Sequence, residues 1–278
     1  MISDLAAAPR EEPPLQRARG DARIEVKAAD GAARLARLYQ DGCGKIRLPV
    51  DAAARDLEAV MINTSGGLTG GDRMAWGARA GPGAALTLTT QACEKVYRAR
   101  DGQAEVAVSL EAAAGARIDW LPQETILFDG AALARTLSAD LAADARLLVV
   151  EAVILGRTAM GETVRHGRLR DRWRIRREGR LVFADDLRFE GPIDEVAARA
   201  PILSGAKAFA SLLLVADDAP RVLAPLRDAI GPYGGASAFA GKLFARIVAA
   251  DGRALRRVLL PAIAALRDGA PVPRVWRT

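Results

Sequence analysis

The chain has 278 residues, half of them hydrophobic, with 40 Lys and Arg against 34 Asp and Glu and an isoelectric point near 9.8. That length supports a full core in one large or two small domains, the hydrophobic share excludes a disordered chain, and no run approaches the ~18 uncharged apolar residues of a membrane helix. Two cysteines, Cys43 and Cys93, and one histidine, His166, exclude a clustered Cys/His metal site and leave hydrolase chemistry without a nucleophile motif.

Residues 1 to about 20 read as a flexible leader. Pro9, Glu11, Glu12, Pro13 and Pro14 cannot bury enough surface to offset the entropy of ordering. The segment lacks the charged start and long apolar stretch of a secretory signal, so a cytoplasmic location is expected. Residues 21–278 read as a single domain. From Ala22 to Val60 the pattern is strand-like, with Cys43 held between Gly42 and Gly44 in a turn.

Next comes Asn63-Thr64-Ser65-Gly66-Gly67-Leu68-Thr69-Gly70-Gly71-Asp72, in which four glycines demand an unusual backbone. No Lys-Ser/Thr follows to complete a phosphate loop, and Leu68 stands where a dinucleotide fingerprint needs its second glycine. A structural turn is the better reading.

Between Met74 and Leu155 the apolar residues alternate, and small-residue turns recur at Gly83-Ala84-Ala85-Leu86, Gly115-Ala116-Arg117-Ile118 and Asp144-Ala145-Arg146-Leu147, 32 and 29 residues apart. Three strand-turn-strand units of similar length predict stacked β layers, as in a solenoid or elongated sandwich. Polar residues interrupt this apolar region at Thr89–Arg98, Trp120–Gly130 and Glu151–Glu162. Acidic groups there must either pair with Lys95, Arg98 or Arg157, or line a wet interior passage.

From Arg168 to Arg176 arginine occupies positions 168, 170, 172, 174 and 176, with Leu169, Asp171, Trp173 and Ile175 between them. This is a strand with one cationic face, its guanidinium roots ~6.6 Å apart. The face suits phosphates or an acidic protein surface, or keeps an edge solvated. Nucleic acid ranks below these, because no aromatic platforms are interleaved with the arginines. Helical spacing appears only late, over Ala219–Ile230 before Gly231-Pro232 and over Ala254–Leu266 before Asp268-Gly269, with a strand-like run at Ala238–Ala249 between them. The expected fold is therefore mainly β, an elongated stacked or helicoidal sheet architecture with two helices near the C-terminus.

Four strings, Asn63–Asp72, Thr89–Arg98, Trp120–Gly130 and Leu155–Glu162, in this order and with these separations, closely resemble the urease accessory protein family UreD, also called UreH. The resemblance runs from about Ala22 to Trp276. It implies a helicoidal β protein without catalysis, which binds apo-urease and joins UreF and the GTPase UreG, possible as a dimer of the whole assembly, to deliver nickel to urease through a water-filled tunnel. It implies nickel in transit, with no tightly bound cofactor and no tight metal site, since a conduit should hold the ion through carboxylates, carbonyls and water. By resemblance the passage is sought among Thr69, Asp72, Thr90, Gln123, Glu124, Asp129, Glu151 and Glu162. Each has a structural alternative: Asp72 capping the glycine turn, Glu124 and Asp129 paired with Arg98 or Arg157, Glu162 facing solvent. The stripe Arg168, Arg170, Arg172, Arg174 and Arg176 is the expected protein-contact surface. A basic nucleic-acid-binding β protein, and an enzyme with a carboxylate pair at Glu124 and Asp129, stand as alternatives that lack a sequence motif.

Overall fold

Alternating inward apolar and outward polar residues make most of this chain strand, and pairing of those strands builds two facing sheets in a computed structural model that describes residues 16–49, 55–157 and 160–276. Strands β1 (Arg19–Ala29), β2 (Ala32–Gly42), β3 (Gly44–Arg47) and β4 (Leu57–Asn63) come first. Then β5 (Arg73–Ala80), β6 (Ala85–Thr90) and β7 (Glu94–Val96) form one coil, β8 (Ala104–Ala112), β9 (Arg117–Leu121) and β10 (Thr125–Leu127) a second, and β11 (Ala132–Leu141) and β12 (Arg146–Leu155) a third. The hairpin β13 (His166–Arg177) and β14 (Arg180–Pro192) leads through the short helix α1 (Ile193–Ala198) to β15 (Ala208–Val215). Helix α2 (Leu223–Ile230), the hairpin β16 (Gly234–Phe239) and β17 (Lys242–Ala249), and helix α3 (Gly252–Leu266) follow.

One sheet has the order β14-β13-β11-β8-β5-β1-β2 and the other β16-β17-β15-β12-β9-β6-β4-β3, with β10 paired to β12 and β7 to β10. Each coil sends its first strand to the first sheet and the remainder to the second. In the first sheet Arg73 pairs with Glu105, an offset of 32 residues, and Ala104 with Leu133, an offset of 29. The second sheet repeats both offsets at Ala85 with Arg117 and Arg117 with Arg146. The spacing of the small-residue turns in the sequence is thus the register of both parallel sheets.

Between the sheets, Trp76, Leu110, Leu137 and Trp173 meet Leu86, Ile118, Trp120 and Leu147 in one buried cluster. Each fully buried Leu or Ile contributes about 2 kcal/mol. Helices α2 and α3 cover the outer face of the second sheet, where Leu226, Leu255, Leu259 and Ile263 pack with Leu212, Leu214 and Leu243. Asp251 caps α3, its side chain accepting from the Ala254 amide. Among the described residues no helix is long and apolar enough to cross a membrane.

Both expected helices are present, the first opening as a 3-10 turn at Ala219–Val222. The run Ala238–Ala249 is a hairpin rather than one strand, because the chain turns back at Ala240-Gly241. Helix α1 has no counterpart in the sequence reading: six residues are too few to show a helical period. Of the expected leader, residues 1–15 lie outside the described residues, and Arg19 and Gly20 already belong to β1.

Candidate functional site

The second and third coils differ in one respect that opens a space between the sheets. Strand β12 runs on without a break, while beside it in the same sheet β9 and β10 are separated by Pro122-Gln123-Glu124; in the coil below, β6 and β7 are likewise separated by Gln91-Ala92-Cys93. Pro122 has no amide hydrogen to give to a ladder. The two breaks stack: the Glu94 amide donates to the Glu124 carbonyl at 3.0 Å, the Gln123 amide to Thr90 Oγ1 at 2.9 Å, and Gln123 Nε2 to the Thr90 carbonyl at 3.1 Å.

Inside these breaks lies a cavity of about 40 Å³ whose wall carries Thr90, Glu94, Gln123, Thr125, Arg135 and Glu151 among Met61, Leu68, Trp76 and Trp120. Its size and the polar groups set into its largely apolar wall suit water.

Two of these wall groups are charges inside the core, Arg135 on β11 and Glu151 on β12. Arg135 occupies an inward position of β11 between Leu133 and Leu137, and in the register of the sheet it stands directly opposite Asp171 of β13. Asp171 takes the guanidinium in a fork, from Nε at 3.2 Å and Nη2 at 2.6 Å. Nη1 reaches Thr125 Oγ1 at 3.3 Å and forms a close ion pair with Glu151 on the facing sheet. Indole donors hold the two carboxylates in place: Trp120 Nε1 to Glu151 at 2.8 Å and Trp173 Nε1 to Asp171 at 3.1 Å. All three side chains are buried.

Burial opposes charge on Arg135, but Asp171 and Glu151 outweigh it and raise its pKa. For Glu151 burial dominates, with Asp171 adding to it, and its pKa is raised despite Arg135. One guanidinium cannot satisfy two carboxylates equally, and Asp171 has the better geometry. Glu94, bonded to Asn63 Nδ2 at 3.2 Å through both oxygens, is pushed by burial up to about 7.

Of the residues expected along a passage, the structure brings together Thr90, Gln123 and Glu151. The others lie elsewhere. Asp72 caps the glycine turn by accepting from the Ala18 amide at 2.7 Å and the Thr69 amide at 2.8 Å, and Thr69 Oγ1 donates to the Arg98 carbonyl. Glu124 pairs with neither Arg98 nor Arg157. Instead Arg256 of α3 holds it through Nε and Nη2, both at 3.1 Å, and Cys93 Sγ donates to it at 3.4 Å. Burial and the Glu124 charge push that thiol up to about 12, which leaves it inert.

Asp129 and Glu162 sit in a surface cleft of about 640 Å³ with Tyr97, Phe128 and Arg165. Asp129 does pair with Arg98, at 2.7 Å, and Glu162 faces Arg157, whose hydrogen bonds lower its pKa to about 2. His166 is exposed at the start of β13.

The arginine stripe alternates as expected, its arginines turned outward and Leu169, Asp171, Trp173 and Ile175 inward. Strand β14 partly neutralises it, with Glu190 at 3.0 Å from Arg168 and Asp186 at 3.0 Å from Arg170. Arg174 donates to the Asp185 carbonyl at 3.0 Å. Sequence reasoning missed Arg135, Glu94 and Arg256 and left Asp171 in an apolar face. For Arg135 and Asp171 a signal existed: opposite charges at inward positions of strands that were to become neighbours.

The wall offers hydroxyl, amide and carboxylate oxygens and no thiolate or imidazole. Among the described residues no three of His, Cys, Asp and Glu gather as a metal-binding group. Such a lining can pass a hard or borderline cation by exchange with water but gives it few fixed ligands.

A family model described as UreD urease accessory protein matches residues 18–277. The chain is 55% identical over 262 residues to a urease accessory protein UreD of Rhizobium leguminosarum bv. viciae, covering 94% of this chain and 96% of that relative. It is 53% identical over 261 residues to one of Agrobacterium fabrum, covering 94% and 92%, and 51% identical over 269 residues to one of Mesorhizobium japonicum, covering 95% and 96%.

Proposed function

The chain belongs to the UreD family of urease accessory proteins, and from that premise we propose that it binds apo-urease in the cytoplasm and, with UreF and UreG, passes nickel into the urease active site. Its role is accessory to urease and supports urease maturation; it is not an enzyme. Nickel is cargo in this reading, in transit and not retained.

The observation that supports the reading is the water-sized cavity between the sheets, where oxygen donors of the second sheet face Arg135 of the first. Thr90, Gln123, Glu94 and Glu151 are the groups proposed to meet the ion. Exchange among hydroxyl, amide, carboxylate and water keeps each stop shallow, which transit requires. Asp72 and Glu124 are proposed as structural, because hydrogen bonds already occupy them. The outward face of Arg168–Arg176 is proposed as a protein contact, its charge moderated by Glu190 and Asp186. Pairing of two such assemblies is part of the same proposal.

The test is urease activity and nickel content per urease, at fixed nickel, in cells that express the urease subunits and the other accessory proteins with or without this chain. Urease that accumulates but stays inactive and nickel-poor without the chain supports the reading. Normal nickel content without it refutes the reading.

A further inference from the structure

The cavity wall carries a permanent cation, which is an odd group to place where a divalent ion would have to pass. Arg135 is buried on that wall, and at any workable pH its guanidinium is charged. Asp171 lies behind it, buried, holding it in a fork at 3.2 and 2.6 Å while the remaining nitrogen turns to Glu151 and Thr125. With both carboxylates ionised, the cluster Asp171, Arg135 and Glu151 sums to one negative charge; without Asp171 it sums to zero. Glu94, elsewhere on the wall, adds to the negative side when it ionises.

The geometry points to Asp171 as the residue that sets the sign of the cavity: by cancelling Arg135 from behind, it leaves the cluster with a net negative charge, presented at Glu151, that attracts a divalent cation. This rests on the passage reading above. Asp171 itself does not line the cavity and would not touch the ion, so it acts through Arg135 and is a positioning residue. The arrangement also accounts for why two tryptophans donate to the two carboxylates: Trp173 fixes Asp171 on the far side of the guanidinium, and Trp120 fixes Glu151 on the cavity side. In a low-dielectric interior one unit of charge acting on a divalent ion outweighs the loss of any single neutral hydrogen bond.

The experiment measures nickel per urease, at limiting nickel, in cells carrying urease, the partner proteins and one variant of this chain. Asp171→Asn keeps the shape and removes the charge, and is expected to lower nickel loading about tenfold. Asp171→Asn with Arg135→Gln returns the cluster to one negative charge and is expected to restore loading to within about twofold of wild type. A purely structural ion pair predicts the reverse, since the double variant has lost more contacts than the single one.

Should Asp171→Asn fail to accumulate, Arg135→Gln alone removes the cation and keeps both carboxylates. It is expected to load nickel at least as well as wild type, and a fall in loading there overturns the assignment. Asp171→Asn that loads like wild type, or its double variant with Arg135→Gln no better than it, likewise overturns the assignment while leaving the passage reading in place. Wild-type loading that does not depend on the chain overturns both.

Discussion

Arg256 on α3 grips Glu124 through two hydrogen bonds of 3.1 Å although 132 residues separate them, and with the same guanidinium it holds Gln123 at 2.7 Å. The contact joins a helix on the outer face of the second sheet to the break that admits the cavity, and its plane lies over Trp276. Removing the guanidinium leaves a carboxylate that is 2% exposed without its main counter-charge. Arg256→Ala is therefore expected to cost about 3 kcal/mol in urea unfolding, and Arg256→Lys to recover only part, because an ammonium cannot fork. A loss below ~1 kcal/mol would count against the clamp.

Glu94 predicts a pH dependence. Burial raises its carboxyl from 4.5 to about 7, so the folded chain holds a proton that the unfolded chain has released. Its contribution is fully present below about 4.5 and is lost as pH rises through about 7. Glu94→Gln removes that loss. The variant should gain on wild type by roughly 1–3 kcal/mol between pH 4.5 and 8, read from unfolding curves at several pH values, and a gap independent of pH would contradict this.

Two glycines of the loop Asn63–Asp72 should separate cleanly. A Cβ on Gly70 would stand 1.9 Å from the Asp101 carbonyl oxygen, whereas one on Gly66, at φ +79, would meet nothing within 4 Å. Gly66→Ala should cost about 1 kcal/mol from backbone strain alone. Gly70→Ala should cost more than about 2 kcal/mol, since backbone has to move. Thermal melts of the two variants decide it, and equal losses would mean that the loop is not pinned against residues 99–101.

The outward arginines predict a salt-dependent contact. Arg170, Arg172 and Arg174 lie on a solvent face whose ion pairs with Asp186 are half exposed, so their replacement by Ser should shift unfolding by less than about 1 kcal/mol. If the face binds an acidic protein surface, co-purification with UreF and urease should weaken in the triple variant, most of all at low salt. Unchanged co-purification at physiological salt would remove the stripe from the interface.

The coil was legible in the sequence because parallel pairing repeats a spacing: Gly83, Gly115 and Asp144 mark turns whose 32- and 29-residue steps are the observed registers. The late helices were legible because 3.6-residue periodicity and Gly or Pro stops survive without tertiary information. Thr90, Gln123 and Glu151 could be nominated by type, yet nothing in their spacing showed that they share a cavity while Asp129 and Glu162 share a surface cleft. That division depends on which carboxylates find a partner first. Glu124 is taken by Arg256, a partner beyond any local pattern, and Asp72 by the Thr69 amide of its own turn and the Ala18 amide just ahead of β1. Arg135 and Asp171 were concealed by the opposite habit, each being the one charge on an inward face otherwise filled by leucine, tryptophan and isoleucine.

Contacts at a step of 31 residues link coil to coil at Asn63 and Glu94, Cys93 and Glu124, Arg98 and Asp129, and Trp120 and Glu151. Length is therefore quantised within this region. A single residue inserted in β11 ahead of Arg135 would turn the following side chains of that strand to the opposite face, and would carry Arg135 out to solvent while bringing Thr136 in. Insertions and deletions inherited by such a chain should be confined to the turns and to the hairpins outside the stack, or come as whole coils.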